Sequence, residues 1–86
     1  MQLVKLTGMK LGKLMRTARE SNGWSLREAA NRLGAGYGHL CDMENEKGSN
    51  PTVATLYRAH RIYGITKEAI FDAAIKSLRS TKRAKP

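Results

Sequence analysis

The sequence predicts an all-α domain of five short helices, and three observations predict it. Apolar side chains recur at helical spacing, each such stretch is opened by a capping residue or closed by a glycine, and the loops between stretches run two to seven residues. Residues 9–22 set Leu11, Leu14, Met15 and Ala18 at i, i+3, i+4 and i+7, one face of a first helix that Gly23 closes. Ser25-Leu26-Arg27-Glu28 has the form of a capping box, in which Ser25 accepts the amide three residues on and Glu28 reaches back. Trp24, just before the cap, is placed as the staple residue. The helix so opened, 26–33, turns Leu26, Ala29, Ala30 and Leu33 inward and ends at Gly34.

A third helix, 37–45, turns only Leu40 and Met43 inward; Tyr37, Gly38, His39, Cys41, Asp42 and Asn45 complete it. Gly38 costs about 1 kcal/mol of helix stability relative to alanine, so some demand other than helix stability selects it. Residues 46–51 are a loop. Thr52 caps a fourth helix that runs to Tyr63, with Val53, Leu56, Ala59 and Tyr63 inward and Gly64 at its end. Thr66 caps a fifth, 67–79, on which Ile70, Phe71, Ala74, Ile75 and Leu78 form a stripe wider than one core contact needs. Part of that stripe is therefore expected to meet another chain. Weak alternation over 2–6 allows one short strand.

Eighty-six residues, 41% hydrophobic and 27% charged, make a single globular domain. The expected organisation is an N-terminal segment (1–8), a folded domain (9–79) and a basic tail (80–86). Sixteen Lys and Arg against seven Asp and Glu give +9, a charge suited to a polyanionic partner. Five of the sixteen lie in 76–86, without an acid; that run is either a solvated tail or a phosphate-gripping arm. The lone Cys41 can form neither an internal disulfide nor a zinc site, which points to the reducing cytoplasm. No secretory signal and no run near ~18 apolar residues is apparent, so membrane proteins, disulfide scaffolds and multidomain enzymes are excluded. No nucleophile–base set, metal cage or phosphate loop appears. GAGYG at 34–38 follows a helix and lacks a downstream Lys-Ser or Lys-Thr. Neither an enzyme nor a bound cofactor is expected.

Two helices joined by Gly34-Ala35-Gly36, the second sparsely hydrophobic and polar outside, form a helix-turn-helix pattern. In such a pair the first helix braces across a nucleic-acid backbone and the second offers side chains to base edges in the major groove. Residues 11–71 resemble the phage-repressor and Cro type of helix-turn-helix domain, the lambda repressor-like family. The resemblance is carried by Gly23-Trp24-Ser25, SLREAANRLG at 25–34, YGHLCDMEN at 37–45, NPT at 50–52 and YGI at 63–65. It implies a five-helix lambda repressor-like fold. It also implies that Gly36, Tyr37 and Gly38 begin the recognition helix, that Tyr37, Gly38 and Asp42 read bases with His39 beside them, and that Asn45 and Lys47 grip phosphates. Arg19 and Glu44 match a pair that ties the first helix to the recognition helix.

Two departures stand out. Leu26 occupies a position where the family often has Gln, leaving Ser25 or Arg27 to supply the phosphate contact. Glu46 stands where Gly is usual and is expected to set a carboxylate near the DNA backbone. Chemically, Asp42 can accept from cytosine N4, and Tyr37 can bond a phosphate or pack on a thymine methyl. Gly36 and Gly38 admit the backbone closely, so DNA shape contributes to specificity. His60 reads as a satisfied, half-buried histidine rather than a pH sensor, and Arg58 and Arg61 as a solvated face. The expected protein is a DNA-binding repressor of phage or plasmid kind, a homodimer on a pseudo-palindromic double-stranded operator. An antitoxin with a protein partner, a restriction–modification controller and a nonspecific nucleic-acid binder are the alternatives.

Overall fold

The computed structural model describes residues 9–48 and 50–78. These contain α1 (Leu11–Ser21), α2 (Leu26–Leu33), α3 (Tyr37–Glu44), α4 (Val53–Tyr63) and α5 (Lys67–Lys76), and no strand among the described residues. The segment 1–8, with the strand expected at 2–6, and the tail 80–86 lie outside the described residues.

The caps explain the boundaries. Ser25, Thr52 and Thr66 each accept the amide three residues on, from Glu28, Thr55 and Ala69, the bond that satisfies an orphan donor of the first turn. The reciprocal half of the capping box is replaced: the Glu28 carboxylate takes Arg32 at 2.8 Å, one turn along the same helix face. Gly34 and Gly64 end α2 and α4 at φ 77° and 75°, a left-handed conformation that glycine enters without a Cβ clash. α5 stops at Lys76, short of the expected 79, with Ser77 as its cap residue.

α1 has no cap of its own, since Lys10 makes no side-chain cap bond. Its first amides are served from far along the chain. Leu11 N–H donates to Ser77 Oγ at 2.7 Å, and Gly12 N–H donates to Glu46 Oε2. Ser77 Oγ–H in turn donates to the same Glu46 oxygen at 3.1 Å. The start of α1, the residues after α3 and the end of α5 thus meet at one carboxylate.

The core lies where all five helices converge, with Leu14, Met15, Leu33, Leu40 and Ile70 fully enclosed. The predicted inward faces of α1 and α3 are buried, and α2 buries Ala29, Ala30 and Leu33 with Leu26 half-buried at the edge. Trp24 packs against the core, its ring centroid 5.9 Å from that of Tyr63, with the Arg32 guanidinium over the Trp24 ring at 4.5 Å.

One expected inward residue is corrected, and the wide stripe of α5 divides into a buried and an exposed part. Val53 is 69% exposed, because α4 docks through Leu56, Ala59 and Tyr63 and its first residue lies beyond that contact. On α5 the buried row is Ile70, Ala73, Ala74 and Ser77, at i, i+3, i+4 and i+7. Phe71, Ile75 and Leu78, one position further round, face solvent, Ile75 at 64%. Small alanines let α5 approach α1 and α4 closely and turn the larger side chains outward.

Candidate nucleic-acid interface

α3 packs on α1 and α2, and an ion pair fixes it there. Arg19 Nε and Nη2 reach Glu44 Oε2 and Oε1 at 2.8 and 3.1 Å, a bidentate fork, while Arg19 Nη1 donates to the Trp24 carbonyl at 3.1 Å. Glu44's side chain is 2% exposed and Arg19's 13%. Hydrogen bonding to Glu44 raises the pKa of the guanidinium, with burial opposing it and the Glu44 charge adding to it. One residue therefore joins α1, the turn before α2 and the end of α3.

With Leu40, Met43 and Glu44 turned inward, the outer side of α3 consists of Tyr37, Gly38, His39, Asp42 and Asn45, all exposed. Gly36, at the N-cap, is exposed as well and a Cβ there would meet nothing within 4 Å. Arg27, from the first turn of α2, lies over the Tyr37 ring at 5.3 Å, a cation–π contact that joins the two helix N-termini. Exposed Ser25, Arg27, Asn31 and Arg32 border a shallow cleft of about 480 Å3 on α2 beside it. At the other end, Lys47 is exposed and its amide donates to the Asp42 carbonyl at 2.8 Å, folding the chain back after the helix. The expected site residues therefore form one continuous surface from Ser25 through α3 to Lys47.

Glu46 is the exception and a correction. It adopts φ 59°, rare for a residue with a side chain, and its carboxylate points to Gly12 and Ser77 rather than outward. The uncapped start of α1 draws it in, because helix N-termini favour an anion. The acid expected to oppose the DNA backbone is instead used inside the fold.

Arg16 was not singled out by the sequence patterns. Its Nη2 donates to Asn45 Oδ1 at 3.1 Å and its Nε lies 3.5 Å from Glu44 Oε1. The signal available in the sequence was the basic row Lys10, Lys13, Arg16 at three-residue intervals on the solvent side of α1. His60 makes the satisfied contact expected of it: its Nδ1 lies 2.6 Å from the Ile65 carbonyl, which can only accept, so Nδ1 carries the proton. Among the described residues no group of three or more His, Cys, Asp and Glu could hold a metal ion, and no helix is long and apolar enough to cross a membrane.

Tyr63 lies behind the Arg19–Glu44 pair. Its buried hydroxyl has no hydrogen-bond partner among the described residues. Burial, with the Glu44 charge adding and Arg19 opposing, pushes its pKa up to about 12. Tyr63→Phe is therefore expected to raise unfolding free energy by about 1 kcal/mol at neutral pH, by removing an unsatisfied polar atom. A raised folded-state pKa means that this group's contribution is intact below pH ~10 and is lost as pH climbs toward 12. The variant should accordingly gain on the parent across that window. Urea titrations at pH 7, 10 and 11.5 check both parts; a destabilised variant at pH 7 would mean that the hydroxyl has a partner.

A short braced pair, α2 and α3, with a polar outer helix set against α1 defines a helix-turn-helix domain. The helix-turn-helix family model matches residues 15–70, and the chain belongs to that family, of lambda repressor and Cro type. No curated protein matches the chain at a significant level. Among solved structures it is similar to the master regulator for biofilm formation SinR in complex with DNA, at 22% identity and TM-score 0.66 over 72% of this chain and 98% of that one. It is equally similar to the N-terminal DNA-binding domain of SinR from Bacillus subtilis, at 22% and 0.66 over 72% and 90%. A complex of SinR with SinI matches at 22% and 0.68 over 85% and 71%. At such identity the likeness is one of fold.

Proposed function

We propose that the protein is a sequence-specific repressor of phage or plasmid kind that binds a pseudo-palindromic operator as a homodimer. Family membership supports the coarser statement, a DNA-binding transcriptional regulator. The observation that carries the reading is the outer side of α3: exposed, short or polar side chains on a helix held rigidly by a buried ion pair. Tyr37, Gly38 and Asp42 read bases with His39 beside them. Ser25, Arg27 and Lys47 contact the backbone on either side, and Gly36 lets the chain approach closely. The exposed apolar row of α4 and α5 (Val53, Tyr57, Phe71, Ile75, Leu78) is the candidate dimer surface. Two-fold symmetry then sets half-sites about one turn, ~34 Å, apart.

Fluorescence anisotropy against DNA from the gene's upstream region and a scrambled duplex, over a salt series, tests this. We expect a steep salt slope with at least ~10³ preference for the upstream DNA. Tyr37→Ala and Asp42→Ala are expected to reduce that preference by ~1–3 kcal/mol each, with little change in thermal midpoint. Binding without preference would leave a basic domain whose main partner is a protein, as for an antitoxin. That second reading draws on the same apolar row and on the similarity to a regulator solved with a second protein.

A further inference from the structure

We propose that Arg16, rather than Asn45, grips a DNA phosphate at the C-terminal end of α3, with Asn45 as its positioning residue and Lys13 extending the contact along α1. The inference rests on the DNA-binding reading above. It comes from the way the Asn45 amide is used. Asn45 Oδ1 accepts from Arg16, and Nδ2 donates to the Cys41 carbonyl at 2.9 Å with Cys41 Sγ at 3.5 Å. An amide so engaged must break a bond within the protein before it can donate to a phosphate. The guanidinium need not: it has five N–H donors, and its contacts with Asn45 and Glu44 engage only one Nη2–H and the Nε–H side. Its side chain is 46% exposed, which leaves the guanidinium accessible to a partner.

Position and charge agree. Gly38, Asp42 and Asn45 follow one another along the outer side of α3, and Arg16 is bonded to the last of them. A backbone running past the C-terminal end of α3 meets Arg16 next. Arg16 also borders a groove of about 870 Å3 with Lys10, Lys13, Thr17 and Asn45. Three acids border the same groove, but two have their carboxylates engaged by donors of the fold. Glu44 is clasped by Arg19, and Glu46 receives the Gly12 amide and the Ser77 hydroxyl. Glu20, one turn beyond Arg16, is the exposed acid and limits the basic strip on that side. The 3.5 Å approach of the exposed Arg16 to Glu44 adds little stability by itself, as is usual for such pairs.

The experiment measures binding to a random-sequence duplex between 50 and 200 mM salt, for the parent and for Arg16→Ala, Arg16→Lys and Asn45→Ala, each with its thermal midpoint. Loss of one phosphate contact should make the slope of log K against log salt shallower by about 0.9 for Arg16→Ala. The four-fold rise in salt then weakens that variant about 3.5-fold less than the parent. Arg16→Lys should keep the parental slope, and Asn45→Ala should keep it while binding more weakly, since the guanidinium loses its anchor. A parental slope for Arg16→Ala would overturn the assignment, as would a larger loss of affinity for Asn45→Ala than for Arg16→Ala, since a neutral amide that itself held the phosphate would be lost without a change of slope. So would a lower midpoint for Arg16→Ala at unchanged slope, which is what a purely structural role predicts. If the parent binds with normal salt dependence and no variant alters it, this inference alone falls. If the parent shows no salt-dependent binding, the DNA-binding reading falls with it.

Discussion

Arg19→Ala is expected to lower the unfolding free energy by about 3–5 kcal/mol, because the buried Glu44 carboxylate loses its bidentate fork and keeps only the 3.5 Å approach of the exposed Arg16. Most of the fork is enclosed, with Glu44 2% exposed, so solvent cannot replace the lost donors. The Trp24 carbonyl loses its side-chain donor as well. For a domain of this size each kcal/mol shifts the melting midpoint by roughly 4–8 °C, so the midpoint should fall by more than ~12 °C. Glu44→Ala should cost a similar amount. The double variant Arg19→Met with Glu44→Leu should recover much of the loss, since an apolar pair of similar volume removes both charges from the interior. Thermal and urea unfolding of the four proteins decide the matter; a shift under ~3 °C for Arg19→Ala would mean that the pair is solvated. The contrast with Tyr37→Ala and Asp42→Ala is the functional point: α1 holds α3 from within and leaves its outer side exposed, as the proposed DNA-binding role requires.

How much of this was legible in the sequence depended on whether the cause was local. Five helix starts or stops followed from residues adjacent to them: Ser25, Thr52 and Thr66 bond amides three positions on, and Gly34 and Gly64 adopt the left-handed conformation their positions require. The pairing of Arg19 with Glu44 came from the resemblance, since nothing in the spacing of two residues 25 positions apart sets them 2.8 Å from each other. What escaped was non-local. On α5 the stripe of Ile70, Phe71, Ala74, Ile75 and Leu78 was legible as too wide for the core alone, but not which part of it is buried. Ile70 and Ala74 turn inward together with Ala73, which lay outside the stripe, because α1 and α4 pack there, and that depends on helices the α5 sequence does not encode. Glu46 was misjudged for the same reason. Its outward direction would follow from its place after α3, whereas its actual direction follows from the uncapped Gly12 amide and the Ser77 hydroxyl, both of which donate to it. Arg16 lies in a basic row with Lys10 and Lys13, and nothing local to α1 sets it apart from them until Asn45 is seen bonded to it.

Gly12→Ala separates local from non-local causes most directly, because the two predict opposite signs. Within α1, alanine in place of glycine should stabilise the helix by about 1 kcal/mol. The residue is buried against the end of α3, however, and an added Cβ would lie 2.6 Å from the Glu44 carbonyl oxygen, 2.9 Å from that of Met43 and 2.7 Å from Glu46 Oε2. Two of those three atoms are backbone and cannot rotate away. Relief requires α1 and α3 to separate, and overpacking of that kind costs typically ~1–3 kcal/mol or more. The third atom is the carboxylate that receives the Gly12 amide, so the clash also displaces the bond that caps α1. We expect the tertiary cost to exceed the propensity gain, for a net loss of about 2 kcal/mol. Lys13→Ala, one residue on and exposed, serves as the control and should change stability by less than ~0.5 kcal/mol. A Gly12→Ala protein as stable as its parent would show that α1 and α3 are not in close contact at this point. Loss of stability in Gly12→Ala alone would establish that glycine is required here for the approach of α1 to α3.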